Sequence, residues 1–199
     1  MNRRAITLLA GLALASAVSG CVAPIGPVEV TRFHVPDTAQ LARGTIAVEA
    51  APGTDAGSLE LRSYQAAVAR QLVALGYTEA AAPNQVAQVR VRRETWQPER
   101  SGNPVTVGVG GSTGSYGSSV GLGLGIDLSG PPPAQTRTEL MVIIRDKASG
   151  AALWEGRASF TVRADSPMAD TALGAAKMAE ALFQGFPGNS GETITVKVL

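Results

Sequence analysis

From residue 28 onward the chain carries two hydrophobic rhythms, one of period two and one of three to four, and they mark out its elements. Val28 to Val35 alternates and stops before Pro36, which predicts a strand. Gly44 to Ala50 is a second strand, rich in β-branched residues and bounded by Gly44 and Pro52. Ser58 to Leu75 has Leu61, Tyr64, Val68, Leu72 and Leu75 at helical spacing, so it predicts an amphipathic helix. Ser58 suits its N-cap, with Thr54 and Asp55 as rivals, and Gly76 suits the left-handed position after its end. Gln85 to Trp96 places Val86, Val89 and Val91 among arginines and reads as a strand ending before Pro98. Thr138 to Lys147 is an apolar run suited to a central strand, and Ser149-Gly150 turns it into a partner at Ala152 to Val162. Ser166-Pro167 opens a second helix to about Phe183, expected to bury Met168, Ala172, Ala175, Ala179, Leu182 and Phe183. Thr193 to Leu199 closes the chain as a strand.

Two helices among hairpin-linked strands point to an α+β domain rather than an alternating parallel fold. The expected architecture is a single mixed or antiparallel sheet with both helices packed on one face. A glycine-rich β-hairpin or loop interrupts it at residues 102–130.

That insertion has a period of its own. Val105, Val107 and Val109 alternate on one arm, and Val120, Leu122, Leu124, Ile126 and Leu128 on the other. The pattern predicts a hairpin with one apolar and one nearly bare glycine face, its tip at Gly110 to Ser119 with Tyr116 exposed. Three roles stay open. The hairpin could be an interaction flap carried by Val105, Val107, Val109, Tyr116, Leu122, Leu124 and Ile126. It could extend the sheet, or it could be a loop. A phosphate-binding loop is excluded, because no Gly-x-x-x-x-Gly-Lys-Ser/Thr occurs and no Gly-x-Gly-x-x-Gly opens a helix.

Residues 1–20 follow another pattern: Arg3 and Arg4, an apolar run from Ala5 to Val18, then Ser19-Gly20-Cys21. This apolar stretch of 14 residues falls short of the roughly 20 needed to span a bilayer as a helix. A basic start, a short apolar stretch and small residues describe a cleaved export signal. Cys21 is the only cysteine, so it has no disulfide partner within the chain. The segment resembles a bacterial lipoprotein signal, which implies cleavage before Cys21 and acylation of its side chain, palmitate being a typical chain. The alternative is a non-lipidated signal cut after Ala17 or Gly20. Val22 follows, where an aspartate would resemble an inner-membrane retention signal, so the expected address is the outer membrane, facing the periplasm. Residues 21–27 then form a short tether and residues 28–199 one domain.

Charge excludes nucleic acid as a partner. With Arg3 and Arg4 removed, 15 basic residues face 16 acidic ones, and no basic cluster stands out. Catalytic chemistry is thin. His34 is the only histidine, which removes Ser-His-Asp and Cys-His arrangements and multi-ligand zinc sites, and no cofactor is expected. A carboxylate pair drawn from Glu94, Glu99, Asp127, Asp146 and Glu155 stays open for a hydrolase. Trp96 and Trp154 could stack on a sugar, although large aromatics on strands are more often core.

Several segments taken together resemble a known family. They are the helix ending Ala-Leu-Gly-Tyr at 74–77, the strand Val86 to Val91, the strand Glu139 to Asp146 turning into Leu153 to Ala158, and the helix at 167–183. The family is one of Gram-negative lipoproteins built on a domain of unknown function, and the likeness covers roughly residues 28–199. It implies an envelope location and a compact α+β domain, with no catalytic residues to carry over. Its members carry a variable glycine-rich or aromatic-rich stretch at 102–130, whereas here Tyr116 is the only aromatic in that stretch. The expected function is a lipid-anchored envelope scaffold or adaptor, joined to the membrane through acylated Cys21 and to another envelope protein. The alternatives are a module binding peptidoglycan glycan or a small apolar ligand, and a carboxylate-dependent hydrolase.

Overall fold

The computed structural model describes residues 26–99, 105–114, 117–126 and 130–198. Its strands are β1 (Val28–His34), β2 (Thr45–Ala50), β3 (Thr78–Glu79), β4 (Gln85–Trp96), β5 (Val105–Gly114), β6 (Gly117–Ile126), β7 (Gln135–Asp146), β8 (Ala152–Arg163) and β9 (Thr193–Val196). The helices are α1 (Leu59–Ala74) and α2 (Thr171–Phe183), with a 3-10 turn at Pro167–Ala169 before α2. Seven strands form one mixed sheet in the order β3-β2-β4-β7-β8-β1-β9. β2 runs parallel to β3 and β4, and the other neighbours are antiparallel. The chain is an α+β domain, as its periodicities predict.

The register shows why one face of this sheet is apolar. Val48, Ala87, Ile144, Trp154 and His34 lie in one row across five strands; Ala50, Val89, Val142, Gly156 and Arg32 form the next. Residues directly opposite one another share a face, so each alternating strand adds its apolar positions to the same side. Both helices pack there. α1 buries Leu61, Tyr64, Ala67, Val68 and Leu72, and α2 buries Ala175, Met178, Ala179, Leu182 and Phe183. Together with the strand residues they form one core cluster.

Helix ends follow local chemistry. The Ser58 hydroxyl accepts from the Leu61 N–H at 3.3 Å and starts α1, whereas its rival Asp55 accepts from the Gly57 N–H at 2.9 Å and shapes the preceding turn. At the other end Gly76 has φ +112°, and the Tyr77 and Gly76 amides donate to the carbonyls of Leu72 and Val73. That is the paired hydrogen bonding of a Schellman ending, which needs glycine at the left-handed position.

The second helix departs from expectation. Ser166 and Pro167 open only the 3-10 turn, because Asp170 stays extended and starts α2 itself, its carboxylate accepting from Ala172 at 2.8 Å. Restarting at Asp170 resets the helical phase, so Ala172 is exposed while Met168 is buried in the turn. β3 was not foreseen, being two exposed residues with no period to read. β7 starts three residues before Thr138, and β9 stops at Val196.

The insertion forms a two-stranded antiparallel ribbon of its own, separate from the seven-stranded sheet. Among the described residues the two arms pair with each other and not with the main sheet. Pairing continues to Gly114 and Gly117, so the turn is far shorter than the tip expected at Gly110 to Ser119. Tyr116 and Leu128 lie outside the described residues.

The last turn of α2 is held by a buried cation. Arg32, 5 % exposed, donates from Nε to the Leu182 carbonyl at 3.0 Å and from Nη2 to the Ala181 carbonyl at 3.1 Å. A guanidinium there satisfies carbonyls that the helix leaves free and meets the negative end of its dipole. Beside it Trp154 stacks on Phe183 with ring centroids 5.3 Å apart, and its indole N–H donates to the Pro187 carbonyl at 3.0 Å. Gly156 makes room for that ring. A Cβ there would lie 2.1 Å from Trp154 Cη2 and 2.8 Å from Leu182 Cδ1. Gly156→Ala should therefore cost about 3 kcal/mol, because overpacking forces the indole off its seat. A lowered urea midpoint together with a weakened near-ultraviolet tryptophan signal would confirm it. An unchanged midpoint would show that the contact is not tight.

Candidate functional site

The connections bring several candidate residues to one end of the sheet. β4 ends at Trp96 opposite Gln135 of β7, so the glycine-rich ribbon is rooted there, and Gln97 Nε2 donates to the Pro132 carbonyl across the root at 3.3 Å. β8 also ends there at Arg163, and antiparallel β1 begins there, with Gly26 packed beside the Thr161 carbonyl. α1 follows the end of β2 and α2 follows the end of β8, which puts both helix N-termini at the same end.

Arg93 ties these starts together. Its guanidinium pairs with Glu60 of α1 at 3.1 Å and donates to the Thr171 hydroxyl of α2 at 3.2 Å and to the Ala169 carbonyl. Tyr64, 1 % exposed, lies beneath this cluster. Burial pushes its hydroxyl up to about 12; Glu60 adds to the rise, while Arg93 and a hydrogen bond with Thr138 oppose it. The arrangement is a polar clamp over the core, with both charges committed to structural partners.

Three large apolar side chains are exposed at this end. Leu59 is 74 % exposed, Trp96 42 % and Leu173 36 %. Leu59 and Leu173 went unread in the sequence because each falls in the first turn of its helix, outside the buried stripe. Within the ribbon the register pairs Val105 with Ile126, Val107 with Leu124 and Val109 with Leu122; the intervening rungs pair Gly108 with Gly123 and Gly110 with Gly121. Apolar and glycine positions therefore occupy alternate rungs, on opposite faces of the ribbon.

Trp154 does not join this surface. It is 1 % exposed, stacked among Phe183 and Phe186 in the core, so it presents no face to a sugar. That corrects the expectation that it stacks on a ligand; the period-two pattern puts it on the helix-covered side. It also lies nine residues along β7 from Trp96, about 30 Å at strand spacing. His34 is structural, its Nδ1 2.7 Å from the Val35 carbonyl and its Nε2 3.2 Å from that of Gly188.

Two of the candidate acids, Glu94 and Glu155, lie beside arginines. Across the uncovered sheet face Glu94 is opposite Arg137, and Arg157 lies 3.5 Å from both Glu139 and Glu155. Asp146 accepts from the Ser149 hydroxyl at 2.6 Å and its N–H at 2.8 Å, which hold its carboxyl below the usual range. Glu99 is exposed, and Asp127 lies outside the described residues. Among the described residues no group of three His, Cys, Asp or Glu side chains could hold a metal. A groove of about 490 Å³ runs between β2 and α1, lined by Ile46, Val48, Ala66, Ala69, Ala80 and Ala81 among others. Its lining, which also includes Gln65 and Glu79, comes from β2, α1 and the residues after Thr78, so no single sequence pattern announced it. Cys21 lies outside the described residues.

A family model described as "Domain of unknown function (DUF4136)" matches residues 33–188. No curated protein matches the chain. Among solved structures it is similar to a PDZ domain protein from Parabacteroides distasonis, at 14 % identity and a TM-score of 0.51. That match covers 94 % of this chain and 42 % of the other, so the chain spans less than half the length of that protein. It is also similar to a PelC dodecamer from Paraburkholderia phytofirmans, at 14 % identity and a TM-score of 0.45, covering 82 % of this chain and 99 % of that one. The likeness to the PDZ domain protein concerns the fold alone.

Tyr64 beneath the clamp makes stability sensitive to alkali. Tyr64 titrates near 10 when unfolded and about 12 when folded, so the folded state holds its proton longer. Stability is then complete below about pH 10 and falls as pH rises towards about 12, by about 2–3 kcal/mol from this group. Burial also raises the Tyr77 hydroxyl, in the same direction. Denaturation midpoints measured across that range should drop, and Tyr64→Phe should remove part of the slope. A variant with the wild-type slope would show that Tyr64 is not the group responsible.

Proposed function

The chain belongs to the family described as Domain of unknown function (DUF4136), and we propose that it is a lipid-anchored envelope protein whose domain serves as a periplasm-facing scaffold or adaptor. The observation that carries this reading is the lone cysteine. Cys21 directly follows a basic and apolar leader, five residues before Gly26, where the described fold starts. A diacylated or triacylated cysteine would hold the protein on a membrane surface, where a single acyl chain gives only marginal residence. Outer-membrane placement follows from Val22 in the position after it. The reading assigns no catalysis. Arginines beside Glu94, Glu139 and Glu155, a structural His34 and helix-capping Arg32 all support a domain built for holding and contact.

A second reading is a module for a small apolar ligand. The groove between β2 and α1 favours it, since ligand sites are concave and mostly apolar. Glycan stacking keeps only Trp96, because Trp154 is in the core.

Cys21→Ser should release the protein from the membrane fraction or leave its precursor uncut; a variant that matures and stays on membranes would remove the anchor. Deleting residues 105–126 should strip particular envelope proteins from those that co-purify with the chain. An unchanged set with the fold intact would count against the ribbon as an adaptor surface. Retention of the purified protein on peptidoglycan would favour the glycan alternative over the scaffold.

A further inference from the structure

We infer that the end of the domain carrying Leu59, Trp96 and Leu173 faces the lipid bilayer, and that the β5–β6 ribbon lies flat in its surface with the apolar rungs down. The inference deepens the anchored reading of Cys21 and names lipid as what the ribbon meets. It starts from topology. Gly26 packs beside Thr161 of β8, and Trp96 at the ribbon root is three strands away from the β1 lane, about 14 Å at sheet spacing. Four residues lie between Cys21 and Gly26, so the five steps along the chain reach at most about 18 Å. An acyl group on Cys21 therefore brings this end of the sheet, with the ribbon root, close to the membrane. The same end exposes three of the five large apolar side chains that the described residues leave in water. Trp96 among them is the residue type that favours the boundary between headgroups and acyl chains.

The ribbon itself suits that boundary. From Val105 to Ile126 the sequence contains no charged residue, and its rungs Val105–Ile126, Val107–Leu124 and Val109–Leu122 alternate with Thr106–Gly125 and Gly108–Gly123. An isolated two-stranded hairpin is marginal in water, so a ribbon whose rungs from Val105–Ile126 to Val109–Leu122 are apolar on one face, with Thr113–Ser118 near the turn, calls for a surface to cover it. Length decides how it sits. The apolar rungs, ending at Gly111–Val120, cover about 20 Å along the strand. A strand that spans a bilayer needs roughly 9–11 alternating residues, and it cannot carry unpaired edges through hydrocarbon. Among the described residues β5 and β6 pair only with each other, which leaves one edge of each unpaired there. Lying flat, the ribbon sinks its apolar face a few ångströms into one leaflet while water at headgroup depth serves both edges and the glycine face.

Cys21 is the only native cysteine, which allows single reporters. Val107→Cys, Leu124→Cys, Gly108→Cys and Gly123→Cys, each carrying an environment-sensitive fluorophore, would be placed in phosphatidylethanolamine–phosphatidylglycerol vesicles, in both the acylated and the Cys21→Ser protein. Labels at 107 and 124 should be quenched by lipids brominated on the acyl chain. Those at 108 and 123 should be quenched by iodide in the water. Without any label, brominated lipid should quench tryptophan emission in the wild type and not in Trp96→Phe, where the buried Trp154 is left. Equal iodide quenching at all four sites in protein that remains on the membrane would overturn the inference and leave the anchor standing. A label at Ser112 quenched only from the vesicle lumen would mean that the ribbon spans, and would overturn the flat placement. If the alternating pattern persists while Cys21→Ser leaves membrane fractionation unchanged, the anchor reading fails and the membrane-facing end stands.

Discussion

The twelve-residue antiparallel pairing of β4 with β7 is the constraint on which the rest of the domain depends. It runs unbroken from Gln85–Asp146 to Trp96–Gln135, and a slip of one residue would turn every side chain to the other face. With that register set, Ala87, Val89 and Val91 join Ile144, Val142 and Leu140 on the side the helices cover. Arg92, Glu94, Arg137 and Glu139 fall on the uncovered side. β8 then extends the same rows to Trp154, Gly156 and Ala158, and β1 adds Arg32 and Val30. The core is in effect a continuation of one ladder.

That ladder also explains why the polar groups inside are few and paired. Arg32 and Arg93 are the inward-facing cations at opposite ends of the inner face, and each serves helix termini. Arg32 meets the last carbonyls of α2; Arg93 links Glu60, Thr171 and Ala169 at the starts of both helices. A buried charge without such partners would cost several kcal/mol, so the sequence could place an arginine on an inward position only where a helix end would receive it. The two cations fix where the helices begin and stop along the sheet. Apolar packing alone, which has no direction, leaves that free.

Much of this was legible in the sequence where period and chemistry agreed. The α1 stripe, its Ser58 cap and its Gly76 ending were readable because each rests on interactions within a few residues. The bounds of β4 were readable, ending before Pro98, although Gln85, Val86 and Ala87 are all buried and break the alternation at its start. The break at Asp170 was hidden, since Ser166-Pro167 is itself a sound helix start and only the competing carboxylate cap of Asp170 delays α2. Trp154 kept two readings open until the register placed it opposite Ile144 on the inner side. The groove beside β2 and the exposed Leu59 and Leu173 depend on which elements become neighbours, information that no single period carries. For the hairpin the alternation showed the faces but not the length of the turn, because Gly110 to Ser119 is too poor in apolar residues to mark where pairing ends.

The position of the ribbon within the ladder matters as much as its composition. An insertion between β4 and β7 sits at the end of the longest continuous pairing in the domain, where Trp96 and Gln135 hold its two arms at strand spacing. Rooting it there lets the insertion vary without disturbing the core rows, since register is fixed by the eleven rungs before it. It also gives a two-stranded element, marginal alone, a closed loop whose ends are already brought together, so less entropy is lost when it pairs. Glycine on alternate rungs raises the cost of ordering again, and alternation without side chains gives one face nothing to bury. Such a ribbon gains from ordering only where a surface covers the other face. The domain therefore fixes where such a contact would fall, and in the membrane-facing placement the bilayer would supply the stability that the ribbon lacks.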